Sequence, residues 1–386
     1  MAQKLLLATC VWGSYSKFFT KYTLQSLISK GNILEKYKNI DIELLILSSK
    51  ENIANFKNNK ILKKIKNINF LSIDSFLNSK KNKYETLSLS QKIIFNVVHE
   101  KNLDYLMLFY PDSIFSVNYI QNCLNLIKNG DVVLSPGPLV NMENLHNYLK
   151  TNKNPYQLSK LVQFTKKNLH PYYESLINQE KQNFVNIFNI NGFLIFNCFD
   201  LHISIMRKNL CNPNIDFDSV DSNYLSKIDI DFSKVIYANT SNTLFVISFE
   251  SIFSSRPAFH YDKIDYNRLN LYKIFGETLS VKKNLKIHNF LNGYFILDIN
   301  LTSENKILVN KHLNKLNEIN RYKKYSFYKH MTLEENFHFF LKKILRKILN
   351  LYFKTPANYR ASINNTTRKS ILFTKLKIRI LYYVYS

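Results

Sequence analysis

The chain has 386 residues, 46% of them hydrophobic and 14% aromatic, which supplies a large core and excludes disorder for most of its length. Its formal charge is +25, yet only eight of the 53 basic residues are Arg, and Lys, Asn, Ile, Tyr and Phe are abundant together. AT-rich coding favours that set, and no aromatic-basic recognition motif accompanies the charge, so nucleic acid is a disfavoured partner.

Two periods alternate along the first 140 residues. Leu5-Leu6-Leu7-Ala8-Thr9 is continuously apolar, as a strand buried on both faces is. Tyr15, Phe18, Phe19, Tyr22 and Leu27 then fall at helical spacing before Gly31-Asn32. Strands are expected at Ile42 to Leu47 and Ile68 to Ile73, with a helix over Glu51 to Ile65 between them. A helix from Ser88 to Val98 precedes a fourth strand, Leu103 to Tyr110, which stops at Pro111-Asp112. Tyr119 to Ile127 is helical and ends at Asn129-Gly130, and Val132-Val133-Leu134 is a fifth strand. Strands separated by helices of this length make βαβ units and a mostly parallel, Rossmann-like sheet flanked by helices.

Beyond that, residues 143–182 read as a helical insertion, and Phe188 to Phe199 and Val235 to Phe249 have strand character. Asp216, Asp218, Asp221, Asp229 and Asp231 lie between the two. After about residue 265 only mixed short elements are legible. From Asn336 to Ser386 the chain carries eleven basic residues and no Asp or Glu. Within that stretch Phe337, Phe340, Leu341, Ile344, Leu345, Ile348 and Tyr352 share one helical face, opposite Lys342, Lys343, Arg346 and Lys347. Such a helix suits an anionic membrane surface, or packs its apolar stripe on the domain before it.

With seven glycines there is no GxGxxG and no GxxxxGK[ST] loop; GxSxG and HExxH are absent as well. Cys10, Cys123, Cys198 and Cys211 show no metal-ligand spacing and read as reduced thiols of a cytoplasmic protein. No apolar run reaches the roughly 18 residues of a membrane span. No organic cofactor is expected. Dinucleotide oxidoreductases, P-loop NTPases, serine hydrolases and zinc peptidases are disfavoured.

The most informative segment is Leu106-Met107-Leu108-Phe109-Tyr110-Pro111-Asp112. A carboxylate just past a parallel strand either holds a divalent cation on a diphosphate or caps the next turn or helix. Together with Leu5 to Trp12, Gly130 to Leu134 and Ser255 to Asp262, this segment resembles GT-A glycosyltransferases, the bacterial glycosyltransferase-like group in particular. The resemblance covers roughly residues 1–265; 266–330 reads as an accessory region and 331–386 as a basic amphipathic tail. Separately, that basic amphipathic tail is expected to hold the enzyme at the inner membrane. The resemblance implies a nucleotide-sugar donor and a cell-surface glycan or lipid-linked acceptor. It implies Trp12 and Ser48 near the nucleotide, Asp112 near the diphosphate, His260 near metal or phosphate, and Mn²⁺ or Mg²⁺ on Asp112 and His260. The family's paired aspartates are incomplete here, since Tyr110 and Ile114 flank Asp112 at a spacing of two. A catalytically degenerate glycan- or partner-binding protein is therefore the alternative reading. Asp229 and Asp231, on one face if extended, are candidates for the general base or for a solvated acidic loop. Trp12 stacks on a base or sugar, or packs as an ordinary buried aromatic.

Overall fold

The continuous apolar run at the start becomes the middle of a sheet because both of its faces are covered. In β1 (Gln3–Val11), Leu5, Leu7 and Val11 enter one core cluster with Leu44, Ile46, Tyr105 and Met107. The alternate residues Leu6, Ala8 and Cys10 enter the opposite cluster with Leu45, Leu47, Phe95 and Leu106. Successive side chains of a strand point to opposite faces, so two apolar faces demand an unbroken apolar sequence.

The computed structural model describes residues 2–251 except 78, 80–82, 175–176, 178–184, 191, 199–200, 218, 221–223 and 226, together with 294–298 and 307. The strands that follow are β2 (Ile40–Ser48), β3 (Ile68–Ser72), β4 (Tyr105–Leu108), β5 (Ser113–Phe115), β6 (Val132–Pro136) and β7 (Leu139–Asn141). After them come β8 (Val185–Ile190), β9 (Phe193–Cys198), β10 (Leu201–Arg207), β11 (Val235–Tyr237), β12 (Val246–Glu250) and β13 (Tyr294–Leu297). Seven of these form one sheet in the order β3-β2-β1-β4-β10-β6-β11. Every neighbouring pair is parallel except those of β10, which runs against both β4 and β6. The fold is thus mixed α/β with a largely parallel central sheet, as the alternating periods predict.

Helices close both faces. Ile94, Phe95 and Val98 of Lys83–Glu100 cover one side. Tyr119–Ile127 and Leu24–Leu27 cover the other. The helix expected over Glu51 to Ile65 stops at Lys57 and resumes only as a 3₁₀ turn, Leu62–Lys64. Asn59 is the cause: its side-chain oxygen takes the backbone N–H groups of Ile61 and Leu62, at 2.8 and 3.2 Å, in place of a helical carbonyl. The segment Tyr15 to Leu27 is helical as expected, but its middle, Phe19–Thr23, is a π-helix.

Two smaller three-stranded sheets, β5-β12-β7 and β13-β9-β8, complete the described residues. The helical insertion appears as Met142–Thr151, Leu158–Lys167 and Pro171–Glu174. Within 266–330 only 294–298 and 307 are described; Tyr294–Leu297 pairs with β9 and buries Phe295 and Leu297 in a third core cluster. The basic tail lies outside the described residues.

Phe95 is fully buried, its ring 5.8 Å from Phe217 and 5.0 Å from Tyr224. Phe95→Ala should destabilise the chain by about 3–5 kcal/mol, read as a lower denaturant midpoint at unchanged slope. A loss under about 1 kcal/mol would show that this contact does not hold the helix to the sheet.

Candidate functional site

Sheet order places the site before any side chain is considered. From β1 the chain moves outward through β2 to β3, then returns to β4 on the other side of β1. Connections leaving β1 and β4 therefore diverge, and a crevice opens beyond their carboxyl ends, where open α/β sheets bind ligands.

Trp12 and Gly13 stand on one side of that crevice. Gly13 has φ +59°, a left-handed conformation that glycine adopts without strain, and it turns the chain sharply out of β1. Trp12 is half-buried and packs on the cluster that contains Leu47, Ile73 and Phe95. Ser48, at the end of β2, is fully buried, and its hydroxyl donates to the carbonyl of Val11. That hydroxyl straps the β1 loop to its neighbour.

Tyr110, Pro111 and Asp112 stand on the other side. Ser113 N–H closes the turn onto the Tyr110 carbonyl at 3.2 Å. The Thr23 hydroxyl donates to the Pro111 carbonyl at 2.6 Å, and the Phe249 N–H donates to the Asp112 carbonyl at 3.1 Å. Thr23 is itself fully buried and belongs to the π-helical stretch. Asp112 is thus held from both flanks while its side chain stays half-exposed. It caps no helix: β5 begins at the next residue, and the following helix starts at Tyr119 behind Asn118.

Two residues that sequence reading passed over reach the same edge. Because β10 is reversed, its first residues lie at the carboxyl edge, with His202 in register with Ser135 of β6. The ring of His202 is 6.1 Å from that of Tyr110. The alternation in Leu201-His202-Ile203-Ser204-Ile205 was the available signal for a strand here. Glu250 ends β12, where Ser248 pairs with Ser113 on one side and Leu139 on the other. Ile247 and Phe249 are buried in the third cluster, so Ser248 and Glu250, both half-buried, share the opposite face.

The two aspartates predicted as base candidates do not join this edge. Val235, the first residue of β11, is beside Val132, the first of β6, so Asp229 and Asp231 lie at the amino ends of the strands. Five residues of β6 separate the two edges, roughly 13–16 Å at 3.3 Å per residue. Asp229 is exposed; the Asp231 carboxylate accepts from Ser233 N–H at 3.0 Å and Ser233 O–H at 2.7 Å. Those bonds hold its pKa below the ordinary value, which weakens it as a base. Asp216 pairs with Lys92 at 2.6 Å, and Asp218, Asp221 and His260 lie outside the described residues. Among the described residues no group of three or more His, Cys, Asp or Glu is placed to hold a metal ion.

No family model and no curated protein matches the chain. Among solved structures it matches mouse xyloside xylosyltransferase 1 in its apo form, at 10% identity and a TM-score of 0.27, over 39% of this chain and 59% of that one. It matches Staphylococcus aureus TarS 1–349 in complex with UDP-GlcNAc, at 12% identity and a TM-score of 0.36, over 75% of this chain and 72% of that one. A second TarS structure matches at 12% identity and a TM-score of 0.25, with only 22% of its length covered. At such scores, assignment falls to the geometry itself.

Ser233→Ala should raise the Asp231 pKa toward the ordinary carboxylate value. A carboxyl-carbon NMR titration reads it directly, and an unmoved Asp231 would show that Ser233 is not what holds it.

Proposed function

We propose that the chain is a glycosyltransferase that moves a sugar from a nucleotide-diphosphate sugar to a hydroxyl of a cell-surface glycan or lipid-linked acceptor. One observation carries the reading: Asp112 sits on a turn braced by Thr23 and Phe249, across the β1–β4 switch point from Trp12. A braced carboxylate at that place is what a diphosphate-bearing ligand needs if a cation lies between the two. The nucleoside lies toward Trp12, with Ser48 acting through the loop it straps rather than by contact. Asp112 and the donor's phosphate oxygens form a partial oxygen shell that suits Mg²⁺ or Mn²⁺, and such an ion neutralises the departing diphosphate. His260 remains a proposed further ligand of that centre. Glu250 takes the place proposed for the base that Asp229 and Asp231 leave, since it follows Phe249, whose N–H holds the Asp112 carbonyl. The single carboxylate also favours a second reading, in which the fold binds donor or glycan without turnover.

Melting curves with UDP-, GDP-, ADP- and dTDP-sugars, with and without Mn²⁺, test the proposal. A donor at 100 times its Kd stabilises by about 2.7 kcal/mol and raises the melting temperature accordingly. Asp112→Asn should leave the unliganded melting temperature nearly unchanged and abolish the donor shift. A wild type that shifts with no donor overturns the transferase reading. A donor that shifts it without release of nucleoside diphosphate supports the binding-only reading.

We further propose that the enzyme is cytoplasmic and peripheral at the inner membrane, through the basic tail at 331–386. Among the described residues no helix is long and apolar enough to cross a membrane. Each basic residue near an anionic surface adds about 1 kcal/mol, so the tail's eleven make a reversible anchor. Full-length protein should float with anionic vesicles, and a version ending at Lys329 should not. Equal flotation of the two removes the tail from the account.

A further inference from the structure

The carboxyl edge of the sheet contains a glycine whose backbone does not require one. Gly137 follows β6 and, among the described residues, is not one of the positive-φ glycines Gly13, Gly31 and Gly192. What it lacks is space: a Cβ there would stand 2.5 Å from both Cδ2 and Nε2 of the His202 ring, with the Ser248 hydroxyl oxygen next, at 3.5 Å. Real Cβ atoms do not approach that closely, so an alanine displaces the imidazole or the strand ends. The bare position is what allows the ring to lie over β6 at the height of the Pro111–Asp112 turn, beside Tyr110.

We propose that His202 is a sugar-contacting residue of the donor site, one that discriminates a nucleoside diphosphate carrying a sugar from one without. This rests on the transferase reading above. The direction follows from strand order. Trp12 extends from β1, Asp112 from β4, and His202 from β10, the next strand along. With neighbouring strands about 4.8 Å apart, His202 is two strands, about 10 Å, from β1 and on the far side of Asp112 from Trp12. A donor whose nucleoside lies toward β1 and whose diphosphate lies at β4 brings its sugar over β10 and β6. There an imidazole offers one nitrogen to a sugar hydroxyl as donor or acceptor, depending on tautomer. Ser248 and Glu250 share the neighbouring strand face and complete a polar rim about the same position.

The probes are UDP-glucose and UDP, or the corresponding pair for another nucleotide if the panel selects one, with affinities measured by calorimetry. His202→Ala should weaken the nucleotide sugar about tenfold, the size of one good hydrogen bond, and leave the nucleoside diphosphate within about twofold. Gly137→Ala should reproduce that selective loss by displacing the ring. In the His202→Ala background, Gly137→Ala should add nothing, because the group it collides with is gone. Unchanged affinities, or equal weakening of both probes, overturn the assignment and leave the transferase reading in place. Gly137→Ala losses that persist without the imidazole also overturn it, since the glycine would then be serving the strand ends. A wild type that binds neither probe of any pair overturns both readings together.

Discussion

A strand that is hydrogen-bonded on both edges and buried on both faces can meet a ligand only beyond its ends. β1 is such a strand, with β2 and β4 along its edges and an apolar cluster on each face. Everything chemical in this chain follows from that constraint. Trp12, Tyr110 and Asp112 stand on loops past the carboxyl ends, and those loops are held by residues whose own polar groups are consumed in holding them. Thr23, Ser26, Asn32 and Ser48 are all fully buried, and each makes a hydrogen bond that joins segments distant in the chain. A buried polar group left unpaired is costly, so these bonds fix positions as well as satisfy atoms. Asn32 shows both: its amide donates to the Ser116 carbonyl at 3.0 Å, and its oxygen accepts from Ile120 N–H at 3.0 Å. The turn after β4 and the helix that follows are tied to the first helical segment in this way.

How much of this was legible depended on how local the signal was. The apolar run of β1 and the helical period of Tyr119 to Ile127 announce themselves, because burial on two faces or on one stripe writes directly into the sequence. Pro111-Asp112 at the end of β4 was readable for the same reason, since it stops an apolar strand. The reversed strand was harder. Direction leaves no mark on composition, and Leu201 to Arg207 reads identically whichever way it runs. Strand character was expected only at Phe188 to Phe199 and Val235 to Phe249, so the strand Leu201–Arg207 between them, and His202 with it, was passed over. The aspartates failed for a related reason. Alternation placed Asp229 and Asp231 on one face, but which edge of the sheet they occupy is decided by the parallel pairing of β11 with β6, a contact across about a hundred residues.

The carboxyl edge of the sheet is built without a glycine-rich loop. A phosphate loop brings backbone N–H groups to the ligand, which needs several glycines in a short run. This chain has seven in all, and the two at the crevice do unrelated things. Gly13 supplies a backbone conformation, while Gly137 supplies an absence. The edge instead gathers the side chains of Trp12, Tyr110, Asp112, His202 and Glu250.

Carboxylates at the amino edge of the sheet are taken up by neighbouring segments. At the amino edge Asp131 pairs with Arg207 at 3.2 Å and Lys234 at 3.8 Å, Glu43 pairs with Lys101, and Asp231 is taken up by Ser233. Partly exposed pairs of this kind are worth about 0–1 kcal/mol each, so they register strands more than they stabilise them. Arg207 illustrates the point: it also donates to the carbonyls of Gly130 and Ile127 and lies over the Tyr105 ring, which locks the end of the reversed strand to both neighbours. A register shift between Ile203 and Ile205 lies between the two ends, so the height of the His202 imidazole is set locally, by its own pairing with Ser135 and by the space that Gly137 leaves.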